Sequence, residues 1–292
     1  MTDRPAASGL RLVIFNNLPP AYERVAQWAE EVGHEVVLVV TSPGPTTRRS
    51  TSYRTIAAQA PPQHDVLVTT RLRRVALPLI AALAPDLIVS MTFPHRLPPE
   101  LLRIPRLGAI NLHPTALPAY RGPNPMRAFY DGATIGATLH RMDAEFDTGP
   151  ILAQRTAPFP EEATPEALLR LWTPLMSAAL AEGAARAIAG EPGRSQDEHG
   201  ASYSPAFTEA EHWLAWDLPL RVVQRHHAAL SIFGPQAKAL VDGVPQRIVR
   251  LDALAGGAAP APAGTIIERT PEGVVVAVAD GAVQIIVAPL EA

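Results

Sequence analysis

The fold is decided by residues 10–40, which read LRLVIFNNLPPAYERVAQWAEEVGHEVVLVV. The apolar run Leu10–Phe15 predicts a buried strand, and Glu35–Val40 predicts a second one. Between them, Ala21–Val32 has the apolar spacing of a helix, which we expect to end at Gly33. A strand, a helix and a strand in succession favour a parallel sheet with right-handed crossovers. The first strand is not followed by Gly-x-Gly-x-x-Gly, which argues against a dinucleotide-binding protein.

The same alternation continues as far as residue 190. Further apolar runs predict strands at Asp65–Val68, Asp86–Met91, Gly108–His113, Gly136–Met142 and Ile151–Gln154. A helix is predicted over Val75–Leu83, and a long helix is predicted to start at Thr164-Pro165-Glu166. Pro174 should kink the long helix. We therefore expect an α/β fold, with a Rossmann-like domain over residues 1–190 and a parallel-rich twisted sheet.

The last third of the chain has a different pattern. Residues 191–204 are polar and rich in Gly and Ser, so we expect a linker there. A helix is predicted over Pro219–Leu230, and its adjacent His226 and His227 favour a surface pair over a metal site, because neighbouring helix positions point apart. Turn residues then separate five short runs, Ala239–Val241, Arg247–Leu251, Gly264–Glu268, Gly273–Ala279 and Ala282–Ala288. These runs predict a small barrel or sandwich over residues 205–292.

Composition narrows the classes of function. The 292-residue chain has no cysteine, which excludes disulfides, thiolate nucleophiles and cysteine-ligated metals. Its formal net charge of −3 gives no global basic field for nucleic acid. The N-terminal residues lack the apolar stretch of a signal peptide, and no run reaches the ~18 apolar residues of a membrane span. We expect a cytoplasmic protein that has no membrane partner.

Candidate chemistry lies in residues 107–150. Asn111 and His113 end a predicted strand, where alternation places both side chains on one face. The prolines that follow force the chain into a shaped loop, and Asp147 lies in a second turn-rich segment. An amide can donate to an oxyanion, an imidazole can carry a proton, and a carboxylate can orient that imidazole. Without an activated Ser or Cys, direct acyl transfer fits better than a covalent intermediate. The structural alternative is a packed histidine beside ordinary Asn and Asp turns.

Two motifs closely resemble the signature of the folate-dependent formyltransferase family, which is Asn-x-His, a proline loop, Arg-Gly and then Asp-Thr-Gly. They are INLHPTALPAYRG at residues 110–122 and HRMDAEFDTGPIL at residues 140–152. The resemblance extends over essentially the whole chain. It implies that residues 205–292 form the small OB-like β-barrel of the methionyl-tRNA and sugar-amine branches. It implies that Asn111, His113 and Asp147 are a catalytic trio. They would move a formyl group from 10-formyltetrahydrofolate to an amine, by direct attack through a tetrahedral intermediate and without a metal.

The resemblance also implies binding residues. The pterin of the folate would lie between a first loop at residues 90–97 and a second loop at residues 143–147. The cofactor-binding residues carried over are Ser90, Met91, Thr92, Phe93, Leu97, Asp143, Ala144, Glu145 and Phe146. The family's proline loop and Arg-Gly correspond to three residues expected to position substrate, Thr115, Arg121 and Gly122.

Departures from the family pattern bear on the acceptor. Asn16-Asn17-Leu18-Pro19 stands where the tRNA-acting enzymes carry Gly-Thr-Pro, and Thr115-Ala116-Leu117-Pro118 replaces Ser-Leu-Leu-Pro. The Pro-Ala-Gly-Arg-Gly loop of the tRNA-acting enzymes is absent, although Arg48 and Arg49 keep positive charge in the polar loop at residues 43–54. This loop either is solvated or faces the substrate. Residues 205–292 hold six basic and nine acidic residues, whereas a barrel that binds tRNA should be basic.

We therefore expect a small-molecule amine as acceptor: a sugar amine, an amino acid or a hydroxylated amine. Initiator tRNA is possible but disfavoured, and a methionyl-tRNA formyltransferase is the alternative within the family. An alternative from another class is a non-catalytic protein that binds oligonucleotides or folate. The oligomeric state stays open.

Overall fold

The structure, a computed structural model, describes residues 9–44, 51–254 and 261–290. Arg48 and Arg49, which we predicted to give the loop at residues 43–54 its positive charge, lie outside the described residues. The chain divides into two compact units, each made of three segments. Unit 1 comprises Met1–Pro123, Gly136–Thr156 and Pro174–Tyr203, and unit 2 comprises Asn124–Ile135, Ala157–Thr173 and Ser204–Ala292. Most of the expected linker thus belongs to unit 1. The division into domains at 1–190 and 205–292 stays a prediction.

Unit 1 is built on a seven-stranded sheet with the order β3-β2-β1-β4-β5-β6-β7. Pairs from β3 to β5 are parallel, whereas β6 runs antiparallel to β5. This mixed, mostly parallel sheet confirms the expected α/β fold class. Its strands are β1 (Arg11–Asn16), β2 (Glu35–Thr41), β3 (Val66–Val68), β4 (Leu87–Met91), β5 (Ala109–His113), β6 (Ile135–Arg141) and β7 (Ile151–Ala157).

The described helices include three that the sequence pattern did not predict, namely α2, α4 and α5. Helix α5 begins directly after Pro125, where we expected only loop; a proline is tolerated at a helix start because the N–H it lacks would have no partner there. A π-helical turn at Leu72–Ala76 precedes α3. The helices are α1 (Pro19–Glu31), α2 (Ser52–Gln59), α3 (Leu77–Leu83), α4 (Pro99–Leu102), α5 (Met126–Tyr130), α6 (Pro165–Ile188) and α7 (Leu220–Ser231).

The register of the sheet places polar residues at the carboxyl ends of its central strands. Val13 and Ile88 pair on the face that packs against Ile80 and other buried residues. Further along the same face, Ser90 of β4 pairs with Asn111 of β5. Because β1 lies between β2 and β4, the strand order reverses there, and such a switch point opens a crevice at the carboxyl ends of the strands.

Unit 2 contains a five-stranded antiparallel sheet with the order β10-β11-β12-β9-β8. All five predicted C-terminal strands are present, as β8 (Lys238–Val241), β9 (Val244–Ala253), β10 (Ile266–Thr270), β11 (Gly273–Val278) and β12 (Gly281–Pro289). Among the described residues, β8 and β10 are the edges of this sheet. Its buried core includes Val223 of α7 and Ile248 of β9.

The expectation of a surface pair at His226 and His227 is wrong. His227 is only 3% exposed, and the ring of His226 stacks on that of Tyr130 with centroids 3.6 Å apart. Helix α7 packs against α5 and β9 in unit 2, and the ring of His227 is buried while that of His226 is half-buried.

In the ranges that the structure describes, no helix is both long enough and apolar enough to cross a membrane.

Candidate active site

The end of β5 carries two of the three predicted catalytic residues. Asn111 lies opposite Ser90 of β4 on one side and opposite His140 of β6 on the other. His113 ends the strand with a buried side chain. Because alternate residues of a strand share a face, the amide and the imidazole project together from the sheet.

Asp147 contacts both of them from the loop between β6 and β7. Its Oδ1 accepts a hydrogen bond from Asn111 Nδ2 at 3.1 Å, and its Oδ2 lies 3.3 Å from Nδ1 of His113. The backbone N–H of Gly122 donates to Oδ2 at 2.9 Å. The structure therefore brings all three predicted catalytic residues into one buried group.

The carboxyl of Asp147 is held in its ionised form. Burial alone raises the pKa of such a group, because it penalises the charged form. The imidazoles of His113 and His140 and the N–H of Gly122 outweigh burial, so the pKa of Asp147 lies well below the usual range of an aspartate. An ionised carboxylate at this position favours positive charge on a neighbouring imidazole.

His113 lies between two hydrogen-bond acceptors. Its Nε2–H donates to the carbonyl of Tyr120 at 2.8 Å, and its Nδ1 faces Asp147. Burial lowers the pKa of His113 below its ordinary value, while Asp147 and the Tyr120 carbonyl oppose that shift. The resting imidazole is therefore a base at neutral pH, and both of its nitrogens have partners once it takes a proton.

His140 belongs to the same group, although the sequence placed it only in a strand. Its Nδ1–H donates to the carbonyl of Arg141 at 2.8 Å, so its Nε2 accepts from Asn111 Nδ2 at 3.2 Å. The same Nε2 lies 3.3 Å from Oδ1 of Asp147. A signal was present, because His140 and Asn111 lie in consecutive predicted strands. The register that pairs them follows from the connecting loop and the core, which local sequence does not give.

The loop that carries the predicted substrate-positioning residues supports the group through its backbone. The Tyr120 carbonyl holds His113, and the Gly122 N–H holds Asp147. Gly122 has φ of +99°, in the left-handed region that favours glycine. Thr115 is buried, and its hydroxyl donates to the carbonyl of Ala119 at 3.0 Å, which closes the loop.

Arg121 points away from this group. Its side chain is 2% exposed, and its guanidinium donates to Gln196 and Glu198 at 2.9 Å each. The described contacts of Arg121 are thus with protein groups. Its role in positioning substrate, and those of Thr115 and Gly122, stay predictions.

The two loops predicted to bind the cofactor are joined to each other. Arg96 of the first loop forms an ion pair with Glu145 of the second, with 2.8 Å between Nη1 and Oε2. Directly after the second loop, the hydroxyl of Thr148 donates to the Asp143 carboxylate at 2.7 Å.

A cavity of about 830 Å³ lies beside these loops. Four of the nine predicted cofactor residues line it, namely Leu97, Ala144, Glu145 and Phe146. The other five, Ser90, Met91, Thr92, Phe93 and Asp143, lie outside its lining. Ser90 and Met91 are buried in β4, and Phe93 packs edge-on against Phe15, with ring centroids 5.0 Å apart. Arginines at four positions also line the cavity, Arg71, Arg73, Arg74 and Arg96.

Comparison with known families decides the assignment. A family described as Formyl transferase matches residues 11–180, and one described as Formyl transferase, C-terminal domain, matches residues 207–292. The chain belongs to the formyl transferase family. It is accordingly a formyl-transferring enzyme, which agrees with the Asn-x-His and Asp-Thr-Gly motifs.

Similar relatives of this formyl transferase include methionyl-tRNA formyltransferases. The protein of that name from Thiobacillus denitrificans is 34% identical over 276 residues, which cover 92% of this chain and 89% of the relative. The one from Roseiflexus sp. is 33% identical and covers 95% of this chain and 87% of its own length.

Solved structures share the fold at low identity. HypX from Aquifex aeolicus, in complex with tetrahydrofolic acid, matches with a TM-score of 0.68 and 19% identity over 95% of this chain and 44% of that chain. An N-formyltransferase from Helicobacter canadensis, in complex with folinic acid and dTDP-3-aminofucose, matches with a TM-score of 0.62 and 15% identity over 95% of this chain and 99% of that chain.

Proposed function

We propose that this formyl transferase moves a formyl group from 10-formyltetrahydrofolate to an amine of a small-molecule acceptor. The observation that carries the proposal is the buried group in which Asp147 contacts both Asn111 and His113 within 3.3 Å. These residues supply the functions that formyl transfer needs, which are a hydrogen-bond donor, a base and an orienting carboxylate.

Each side chain has a separate task. His113 takes the proton that the attacking amine loses, and Asp147 stabilises the imidazolium that forms. The imidazolium then returns the proton to the N10 nitrogen of the folate as the bond between N10 and the formyl carbon breaks, which releases tetrahydrofolate. Asn111 directs its amide hydrogens at His140 and Asp147 in this structure. If one of these N–H groups instead donates its hydrogen bond to the formyl oxygen, it stabilises the negative charge that develops there. Such a hydrogen bond is worth ~100- to 1,000-fold in rate when the donor is preorganised.

The cavity supports a folate as the formyl donor. Pockets for small molecules span roughly 300–1,000 Å³, and the cavity of about 830 Å³ falls within that range. Its lining shares Leu97 and residues 144–146 with the predicted cofactor loops, and its arginines suit the carboxylates of a folate. The donor supplies an activated formyl group, while the two joined loops would hold and orient it.

The charge of the C-terminal part supports a small acceptor. Residues 205–292 hold six basic and nine acidic residues, a net charge of −3. The phosphate backbone of a tRNA is negatively charged and binds basic protein surfaces, whereas this part of the chain is acidic. We propose initiator methionyl-tRNA as the second candidate acceptor, because the similar relatives carry the name methionyl-tRNA formyltransferase.

A panel of acceptors tests the proposal. The enzyme is incubated with 10-formyltetrahydrofolate and sugar amines, amino acids, hydroxylated amines or charged initiator tRNA, and tetrahydrofolate release and product mass are measured. We expect the highest kcat/KM with a small amine. Efficient formylation of the tRNA, with a steep fall as salt rises, would establish the second candidate instead.

A further inference from the structure

We infer that Gln196 is a positioning residue of the formyl-transfer centre, which holds the backbone around Asp147 and, through Arg121, the loop around His113. The inference deepens the proposed function and rests on it. The sequence placed Gln196 in a polar linker, whereas the structure connects its side chain to two segments of the site.

The side-chain amide of Gln196 uses its full hydrogen-bonding capacity. Its Nε2 donates to the carbonyls of Asp147 and Gly149, both at 2.8 Å. Its Oε1 accepts from Nε and Nη2 of Arg121, at 3.2 Å and 2.9 Å. A glutamine has two N–H donors and two carbonyl lone pairs, so each of the four has a partner. No other natural side chain of this length supplies two donors at one end of a planar group and an acceptor at the other.

The held turn is one that needs outside support. Asp147 has φ of +57°, and a residue with a Cβ rarely adopts this left-handed conformation. A Cβ on Gly149 would lie 1.9 Å from the carbonyl oxygen of Arg141, so the turn also packs closely against β6. Such a conformation persists only where its surroundings determine it. The two bonds from Gln196 fall on the carbonyls at both ends of this turn.

The segment that carries Gln196 is itself fixed to the rest of unit 1. Arg194 exchanges backbone hydrogen bonds with Ile151, at 2.7 Å and 2.8 Å. Further along, the Ser202 carbonyl accepts from the backbone N–H of Arg121 at 2.8 Å. Gln196 is thus anchored on both sides, which allows its amide to act as a rigid support.

Arg121 extends the same support to His113. The carbonyl of Tyr120, just before Arg121, accepts from His113, and the N–H of Gly122, just after it, donates to Asp147. Displacement of Arg121 would therefore move partners of two catalytic side chains at once. This arrangement gives the buried guanidinium a function that needs no contact with substrate.

Two variants of Gln196 separate the donors from the acceptor. Gln196→Met keeps the length of the side chain and removes all four hydrogen bonds without adding charge. Gln196→Glu keeps an oxygen that accepts from Arg121. It replaces the two N–H donors with a second oxygen, which cannot donate to the carbonyls of Asp147 and Gly149. Arg194→Gln is the matched control in the same segment, because Arg194 pairs through its backbone and its side chain is exposed.

The first readout is the division between kcat and KM. We expect both Gln196 variants to lower kcat about 10- to 100-fold, since a displacement of ~1 Å at a reaction centre costs about 100-fold. The KM for 10-formyltetrahydrofolate should stay close to that of the wild type, and the melting temperature should fall but stay well above the temperature of the assay. The control should match the wild type in all three quantities.

The second readout needs no acceptor. The pKa of His113 is measured by NMR titration of its ring in each variant. The charged or titratable groups that face His113 are Asp147 and His140, and the carboxylate raises the pKa of His113. If Gln196→Met loosens Asp147, the pKa of His113 falls further, by part of the ~1–3 pH units that a close opposite charge is worth.

The outcomes are distinct. A lower kcat together with a lower pKa of His113 supports the inference. A kcat of Gln196→Met within about twofold of the wild type, or a loss of activity with an unchanged pKa of His113, would overturn it. If Gln196→Met does not fold, Gln196→Glu decides by the same readings. If the wild type formylates no acceptor, the proposed function fails, while the NMR titration still decides the role of Gln196.

Discussion

Two buried histidines, one in each unit, are in opposite situations. His113 of unit 1 has an acceptor at each ring nitrogen, one of them the Asp147 carboxylate at 3.3 Å. His227 of unit 2 is as deeply buried, but its Nε2 has no hydrogen-bond partner within the described residues. Glu166 and Asp252 act on His227 only as weaker opposing charges, and burial lowers its pKa to about 4.

The difference shows that burial alone does not make a catalytic histidine. Burial lowers the pKa of both rings, because it penalises the charged form. Of the two, only His113 has a neighbouring carboxylate that is itself fixed, by hydrogen bonds from Asn111 and from the Gly122 N–H. The Asp147 carboxylate therefore stabilises His113 once it is protonated, whereas protonation of His227 destabilises the folded chain. This contrast can be tested by changing either side of it.

Removal of the carboxylate charge should have the largest effect. Asp147→Asn keeps the shape of the side chain but deprives the His113 imidazolium of its counter-charge. We expect kcat for formyl transfer to fall by ~100- to 10,000-fold, the range of general acid–base effects. Tetrahydrofolate binding, measured by fluorescence titration, should be retained. Near-normal turnover of this variant would show that Asp147 has no part in the reaction.

Removal of His140 should lower activity less, because His140 contacts Asp147 and Asn111 and acts on the reaction only through them. His140→Leu removes the ring that lies 3.3 Å from Asp147 and accepts from Asn111. We expect kcat to fall about tenfold. The acidic limb of the pH profile should move to higher pH, because His140 is one of the causes that lower the pKa of His113. A limb that stays in place, with kcat unchanged, would assign His140 a packing role alone.

His227→Phe should change stability and leave turnover alone. The pKa of His227 is about 4 in the folded chain against an ordinary 6.5, so the unfolded chain binds more protons between these values. The free energy of unfolding of the wild type therefore falls as pH falls from 6.5 to 4. His227→Phe should flatten this slope and keep roughly 1–2 kcal/mol more stability at pH 5. Denaturant unfolding at pH 7 and pH 5 measures it, and equal slopes in the two proteins would contradict the contrast.

Much of the fold could be predicted from the sequence, because apolar periodicity reports burial directly. All five C-terminal strands and the β-α-β opening are present near their expected positions. Short helices were missed: α5 has only five residues, Met126–Tyr130, and follows prolines that read as loop. The pair His226-His227 was misjudged, since the divergence of neighbouring positions says nothing of what packs against each face.

The site was predictable only where its residues lie in recognisable motifs. Asn111 and His113 share a strand end, and Asp147 follows from the resemblance to a known family. His140 begins the second motif but was given no role there, and Gln196 lies in neither motif. The role of His140 depends on strand register, and that of Gln196 depends on hydrogen bonds to residues 47–75 positions away in the chain, which leave no local pattern.

The most direct test of the account is the pH dependence of kcat/KM for formyl transfer, set beside an NMR titration of His113 in the same free enzyme. If His113 is the base, activity falls on the acidic side with a midpoint equal to the measured pKa of His113. Both values should lie below the ordinary histidine value of 6.5, because burial lowers that pKa. An acidic limb that is absent, or that is centred at a pH different from the titration of His113, would contradict the account.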